Sequence, residues 1–493
     1  MPPSLPPITR SPAPLSTRVP ARRLRPGFPA AASCALALAL SLGAAGCTDA
    51  VAETSSSEGA SAPAMPHGDA GSWDIQEAPG IQERYRDEVR ALAQDPRVQT
   101  AFQRIEELEP WTMDNLVTIT EIPAPPFMEE ERAEAYLGML QALGVDEAFL
   151  DEEGNAIAIR RGSGGERTLV LSAHLDTVFP EGTDVTVQFR GDTLFAPGVG
   201  DDSRGLAMVL TVLRTMNELD LETEHDVWFV GTVGEEGLGD LRGVKHLFRE
   251  GGPRIDAFIS VDGGGDAAVV NQALGSRRYR VTFQGPGGHS WGAFGLGNPA
   301  HALGRAIEIF DEEAAPFVAD GPRTSYNVGR IGGGTSVNSI PYEAWMEVDM
   351  RSVDAERLSG IDRIFLDSVE RALAEQNAVI MDGPALEVEV EQVGDRPSGE
   401  IDPSDPFVQR AMASVDHFGF EPRLTRSSTD SNVPIALGIP AVTIGRGGAG
   451  GGTHSLDEWW LNRDGHIAIQ RTLLLVLAEG GLAGADDEVA MRP

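Results

Sequence analysis

The chain has 493 residues, 41% of them hydrophobic, and a formal net charge of -36 at neutral pH. That length exceeds one ordinary domain and leads one to expect two domains with tails, while so acidic a surface repels phosphate backbones and argues against nucleic acid as a partner. The two cysteines, Cys34 and Cys47, are too few for a disulfide framework.

The first 46 residues carry Arg10, Arg18, Arg22, Arg23 and Arg25, no acid, and the apolar run Ala30 to Ala45, which is too short to span a membrane. This is the pattern of an export signal. It closes on Leu42-Gly-Ala-Ala-Gly-Cys47, which resembles the lipobox of bacterial lipoproteins, with Ala44 where Leu is usual. Cleavage there would lipidate Cys47, discard Cys34 and leave no cysteine for a zinc-thiolate site. The expected location is the periplasm or cell envelope, with the membrane reached only through that lipid. Residues 47–80, rich in Ser, Ala, Gly and Asp, read as a disordered tether.

Charged and apolar residues then recur at helical spacing from Ile81 to about Glu109 and again from Glu129 to Leu140, with the proline-rich Thr120 to Pro126 between them. Strands and helices alternate next: strands at Ala156 to Arg160 and Thr168 to Leu175, a helix from Leu206 to about Leu219, a strand His225 to Val230, a short helix near Leu241 to Phe248, and a strand Ala257 to Val261. Such alternation predicts a mostly parallel sheet flanked by helices. After Gly275 the order changes to β-α-β-β-α-β, with strands at Arg278 to Phe283, Ser325 to Ile331, Ala344 to Met350 and Leu386 to Val390 and helices at Ala300 to Glu313 and Ala355 to Gln376. That is the order of a ferredoxin-like unit. In its second helix Leu358, Ile361, Phe365, Val369 and Leu373 share one face. From about Ser404 the first pattern resumes, with a helix Phe407 to Phe418, a strand Pro440 to Ile444 and a closing helix from about Asp464 to Ala478. The expected layout is a larger unit over 81–274 and 394–480, an insert over 275–393 and an acidic tail over 481–493.

Residues of chemical interest gather where these strands end. His174 and Asp176 follow the strand from Thr168, both on one side of the extended chain, with the Asp176 carboxylate spaced to orient the far nitrogen of the imidazole. Gly198-Val-Gly-Asp-Asp-Ser-Arg-Gly205 leads into a helix, so one of its acids is also a natural helix cap. The adjacent Glu235 and Glu236 follow the strand His225 to Val230, and neighbouring side chains there point to opposite sides, one toward a metal and one toward reacting water. Asp262 ends the strand from Ala257, and His454 lies in the loop Gly451 to Glu458. Singly, these read as a core histidine, a helix cap and solvated acids; together they make an N/O donor set suited to two zinc ions, and cobalt or manganese suits the same donors.

The series HLDTV, GVGDDSRG, GEEG, SVDG and THS, interrupted by a β-α-β-β-α-β insert, resembles the co-catalytic zinc hydrolases that include glutamate carboxypeptidase, peptidase T, aminoacylase and acetylornithine deacetylase, peptidase family M20. The resemblance covers roughly Pro110 to Ala478. It implies a zinc-exopeptidase-like fold with an inserted lid or dimerisation domain. It makes Asp201 the bridging ligand, His174 and Asp262 the other ligands of one ion, Glu236 and His454 those of the second, and Glu235 the general base. Gly287-Gly-His-Ser290 resembles the family's lid motif, which makes His289 an oxyanion-stabilising residue, often serving the partner subunit's site, in a homodimer joined through the insert. Asn338, in an Asn-x-Ile-Pro motif, and Arg351, in Asp-x-Arg, would hold a substrate carboxylate, the arginine by a bidentate fork. Arg204, where relatives often have Lys, and Trp291 to Gly297, where a short Pro-containing link is common, depart from the family pattern.

The expected function is hydrolysis of a peptide or amide bond in a small carboxylate-bearing peptide. N-acyl amino acid deacylation is the alternative; in the family, Asp at the position of Asp262 tends to accompany peptidases, which favours the first. A non-catalytic metal- or peptide-binding lipoprotein is a further alternative, opposed by the presence of Glu235 with all five ligands. Gly445 to Gly450 contains a G-x-G-x-x-G pattern, but no helix opens directly after it, so these glycines read as close packing around a metal loop rather than a nucleotide site.

Overall fold

The computed structural model describes residues 80–484. The expected export leader, Cys47, the expected tether before residue 80 and the tail beyond 484 lie outside the described residues. Among the described residues no helix is long and apolar enough to cross a membrane.

The first helical stretch divides into Glu83–Gln94 and Pro96–Glu107, because Asp95 accepts the Arg97 N–H at 2.8 Å and Pro96 opens the second helix without needing a donor of its own. A third helix, Glu109–Thr120, precedes the proline-rich segment, and Glu130–Ala142 follows it. They cover a nine-stranded sheet whose centre is four parallel strands in the spatial order Asp226–Thr232, Thr168–His174, Ala257–Val261 and Ala441–Ile444. Beyond these four the pairing is mixed, with Arg423–Ser427 again parallel to its neighbour Ala268–Ala273. Glu147–Leu150 and Ala156–Arg160 extend one side antiparallel, and on the other Ala268–Ala273 runs antiparallel to Ala441–Ile444 and is itself paired by Gly399–Glu400 and Arg423–Ser427.

The helix Ser203–Glu218 is buried along nearly its whole length, so its N-terminus is fixed beneath the carboxyl ends of the central strands. Asp202 caps it by accepting the Gly205 N–H, and a Cβ on Gly205 would overlap that carboxylate, which explains the glycine four residues after Asp201. A small antiparallel sheet, ordered Ala449–Gly451, Trp459–Leu461, Thr193–Phe195 and Gln188–Arg190, brings the loop around His454 beside the Asp201 loop.

The insert has its own core. Its strands lie in the order Thr324–Gly333, Glu343–Ser352, Gly275–Gln284 and Glu387–Arg396, all antiparallel, with the helices Pro299–Val318 and Ala355–Ala378 on one face. Tyr279, Val281 and Phe283, alternate residues of one strand, meet Phe310, Ile361 and Phe365 from the helices. Of the expected helix stripe Leu358, Ile361, Phe365 and Val369 are buried and Leu373 packs partly buried against them. The last strand runs six residues beyond the expected Val390, through a bulge at Gln392 to Gly394 that the alternation did not reveal.

Phe365 is fully buried with ring contacts to Tyr279 and Phe310 at 5.4 and 5.1 Å. Phe365→Ala is expected to cost about 3–5 kcal/mol in denaturant unfolding, and a loss near zero would show that this core does not stabilise the insert.

Candidate active site

Four adjacent parallel strands end at one edge, and each delivers a polar residue there: His174, the Glu235-Glu236 pair, Asp262 and Arg446. His174 Nε2 lies 3.1 Å from Asp201 Oδ1, and His454 Nε2 lies 3.3 Å from Asp201 Oδ2 and 2.8 Å from Glu236 Oε1. Ligand-type atoms of His174, Asp201 and Asp262 fall within 4.8 Å of one another, and so do those of Asp201, Glu236 and His454. Asp201 is therefore common to two triads, one oxygen toward each histidine. Glu235 joins a third such group with His174 and Glu236.

The site crowds carboxylates around two histidines and two buried arginines. Burial opposes charge on His174, but the Asp201 hydrogen bond and the nearby carboxylates outweigh it and raise its pKa well above the ordinary range. Hydrogen bonds to Asp201 and Glu236 raise His454 to about 10. Burial pushes Asp202 and Glu235 well above the usual carboxylate range; it pushes Asp201 up too, yet Arg446 and the two histidines bring that group well below it. Two imidazoles among crowded carboxylates offer the N and O donors that suit divalent cations, whose charge such a cluster favours.

Asp176 departs from its expected role. Its backbone carbonyl, not its carboxylate, accepts from His174 Nδ1 at 2.9 Å; the carboxylate stands at 3.8 Å and instead accepts the N–H groups of Glu235 at 2.9 Å and Glu236 at 2.7 Å. Two backbone donors on the neighbouring strand's loop outcompete a single ring nitrogen. Asp176 thus aims the Glu235-Glu236 turn.

Arg351 lines a cavity of about 690 Å³ that also contains Asp201, Glu235, Glu236, Asp262 and His454, and its Nε pairs with Asp349 Oδ2 at 2.8 Å. His289 and Asn338 are not brought into that cavity. They adjoin each other on an exposed part of the insert, where Gly288–His289 pairs with Ser339–Ile340 and the Ser290 N–H donates to the Asn338 carbonyl.

Several site residues escaped the sequence reading. Glu458 accepts the N–H groups of Gly198, Gly200 and Asp201, each at 2.9 Å, and so fixes the Asp201 loop. Its signal was its place four residues after His454. Arg446 is buried, with Nη1 at 3.2 Å from Asp201, 3.6 Å from Asp262 and 3.8 Å from Asp202. It stands two residues past a central strand, a position the glycine run disguised. Arg396 pairs with Glu235, Thr429 donates to Asp262 Oδ2 at 2.7 Å, and Asp430, raised to about 6 by burial, accepts from Thr232. Nothing in the local sequence marked these three.

Residues 170–478, well over half of the chain, match the model of peptidase family M20/M25/M40. The chain is 24% identical over 336 residues to succinyl-diaminopimelate desuccinylase of Corynebacterium glutamicum, covering 67% of this chain and 86% of that one. It is 25% identical over 321 residues to the cytosol non-specific dipeptidase of Escherichia coli, covering 58% and 63%. Among solved structures, aminopeptidase PepT of Bacillus cereus superposes with a TM-score of 0.59 at 22% identity, covering 74% of this chain and 97% of that one. A dinuclear metal binding peptidase of the M20 family from Bacillus subtilis gives 0.56 at 16%, covering 76% and 99%. These two share the fold. The chain belongs to peptidase family M20/M25/M40 and is a metal-dependent hydrolase of peptide or amide C–N bonds.

Proposed function

We propose that the protein is a two-zinc exopeptidase acting on small peptides that carry a carboxylate. The observation that carries this reading is Asp201, shared by the triads His174-Asp201-Asp262 and Asp201-Glu236-His454, with Glu235 at their side. Zinc suits two imidazoles and three carboxylates, and cobalt or manganese fits the same donors.

Bound there, the pair of cations supplies Lewis-acid activation of water and of the scissile carbonyl. Glu235 takes the proton that water gives up as its oxygen bonds to the carbonyl carbon. It returns that proton to the nitrogen as the C–N bond breaks. Arg351, at the insert side of the cavity, holds the substrate carboxylate.

The protein acts as a homodimer joined through the insert. Supporting this, His289 and Asn338 lie outside their own chain's cavity, beside the exposed apolar Trp291 and Val337. The insert of one copy then offers both polar residues to the cavity of the other. Export and lipid attachment at Cys47 rest on the leader sequence, and they place the hydrolase at the cell envelope, where external peptides arrive. N-acyl amino acid deacylation is the second reading, favoured by the similarity to a desuccinylase.

Zinc-loaded protein lacking residues 1–73 should hydrolyse dipeptides in preference to N-acetyl amino acids, and Glu235→Gln should lower kcat by about 10²–10⁴-fold with both metals retained. Turnover of acetyl compounds alone would transfer the assignment to a deacylase; full activity in the variant would remove Glu235 as the base. Glu458→Gln, which loses acceptor capacity toward three N–H groups, is expected to weaken metal retention against a chelator by roughly 10- to 100-fold, whereas unchanged retention would show that the loop needs no such brace. Mixing inactive Glu235→Gln with inactive His289→Ala should regenerate activity through hybrid dimers, and a mixture that stays silent would disprove a shared site.

A further inference from the structure

Arg396 is the last residue of the insert strand Glu387–Arg396, yet it is buried in the catalytic site. Its Nη1 lies 3.2 Å from Glu235 Oε1 and 3.2 Å from both the carbonyl and the hydroxyl oxygen of Ser428, while its Nη2 donates to the Glu235 carbonyl oxygen. One rigid guanidinium thus grips the side chain and the main chain of the same residue, which fixes the carboxylate relative to its own backbone. Both partners of the ion pair are nearly inaccessible, at 4% and 6% side-chain exposure, so water does not screen it.

The insert holds the rest of that loop as well. Arg278, on the paired strand Gly275–Gln284, donates to the Gly237 carbonyl at 2.7 Å, and the Asp395 N–H donates to Asp240 Oδ1 at 2.9 Å and Oδ2 at 3.0 Å. Residues 235–240 therefore rest against the root of the insert at three points. On the other side Asp176 accepts the N–H groups of Glu235 and Glu236, so the catalytic unit aims the turn and the insert aims the carboxylate.

We propose that Arg396 is the positioning residue of the general base, an element of the insert that holds the Glu235 carboxylate in the orientation the reaction uses. The assignment rests on Glu235 being the base, as proposed above. Arg396→Gln is expected to lower kcat by about 10²-fold, the penalty for a catalytic group displaced by about 1 Å, with KM and metal content little changed. Methylguanidinium should restore part of the lost kcat to Arg396→Ala and none to Glu235→Gln. Because Arg396 acts through Glu235, the losses in Arg396→Gln and Glu235→Asp should fail to multiply in the double variant. Multiplying losses, or a rise in KM with kcat kept, would make Arg396 a substrate ligand and overturn the proposal. If the Arg396 variants do not fold, Asp240→Ala carries the test, since it frees the segment next to Arg396: lower kcat with KM and metals kept supports the proposal, and unchanged kcat overturns it. Full activity in Glu235→Gln alone defeats the base assignment itself, and it is seen without any Arg396 variant.

Discussion

The site depends on where the Asp201 carboxylate is held. Three consecutive constraints fix it: the loop before it is pinned by the Glu458 carboxylate, the residue after it caps a buried helix, and Arg446 and two histidines surround its oxygens. Glu458 is the telling member, because it lies on the same hairpin as His454. The carboxylate that positions Asp201 and the His454 imidazole thus belong to one short segment, with three residues between them. Two loops more than 250 residues apart in the chain behave as a single ligand-bearing surface.

Concentrating acids this way has a cost that the structure meets by two different means. Unit charges a few ångströms apart in a poorly screened interior repel by several kcal/mol, about 4 at 4 Å for an effective dielectric of 20. Asp176 and Glu458 are satisfied by backbone N–H groups, which bring partial positive charge without adding a side chain to the cavity. Asp201, Asp262 and Glu235 instead face the buried arginines Arg446 and Arg396. Arg446 reaches into the first triad itself, its Nη1 lying between Asp201 Oδ1 and Asp262 Oδ1 on the oxygen that also faces His174, whereas Arg396 holds Glu235 beside it.

Much of this was legible in the sequence because ligand geometry is coupled to strand ends. A strand of β-formers followed by a polar residue can be read locally and located His174, Glu236 and Asp262, while a glycine-bounded turn before a helix and a glycine-rich loop located Asp201 and His454; the fold then brings the five together. The insert was readable from its change of element order. What could not be read were interactions set by chain crossing: Arg396 meets Glu235 across 161 residues, and Arg446 meets Asp201 across 245. Neither spacing has a local signature. Asp176 shows the same limit at short range, since alternation placed its side chain on the correct face but could not tell that two N–H groups of another strand's loop would claim it. The short strands Ala268–Ala273 and Arg423–Ser427 escaped because short strands amid glycine and charge carry too few residues for periodicity to show.

The attachment of the insert explains how a residue of that unit, Arg396, reaches Glu235 at all. The chain enters it from Ala268–Ala273 and leaves it toward Gly399–Glu400, and these two segments pair with each other, Gly399 opposite Ala273. Entry and exit are thereby stitched side by side at the sheet edge that borders the cavity. In any rigid rotation of one unit about such a joint, displacement grows with distance from the axis. Arg396 and Arg278 lie on the two strands nearest the joint and hold residues 235–240, so their contacts are the ones such a rotation disturbs least.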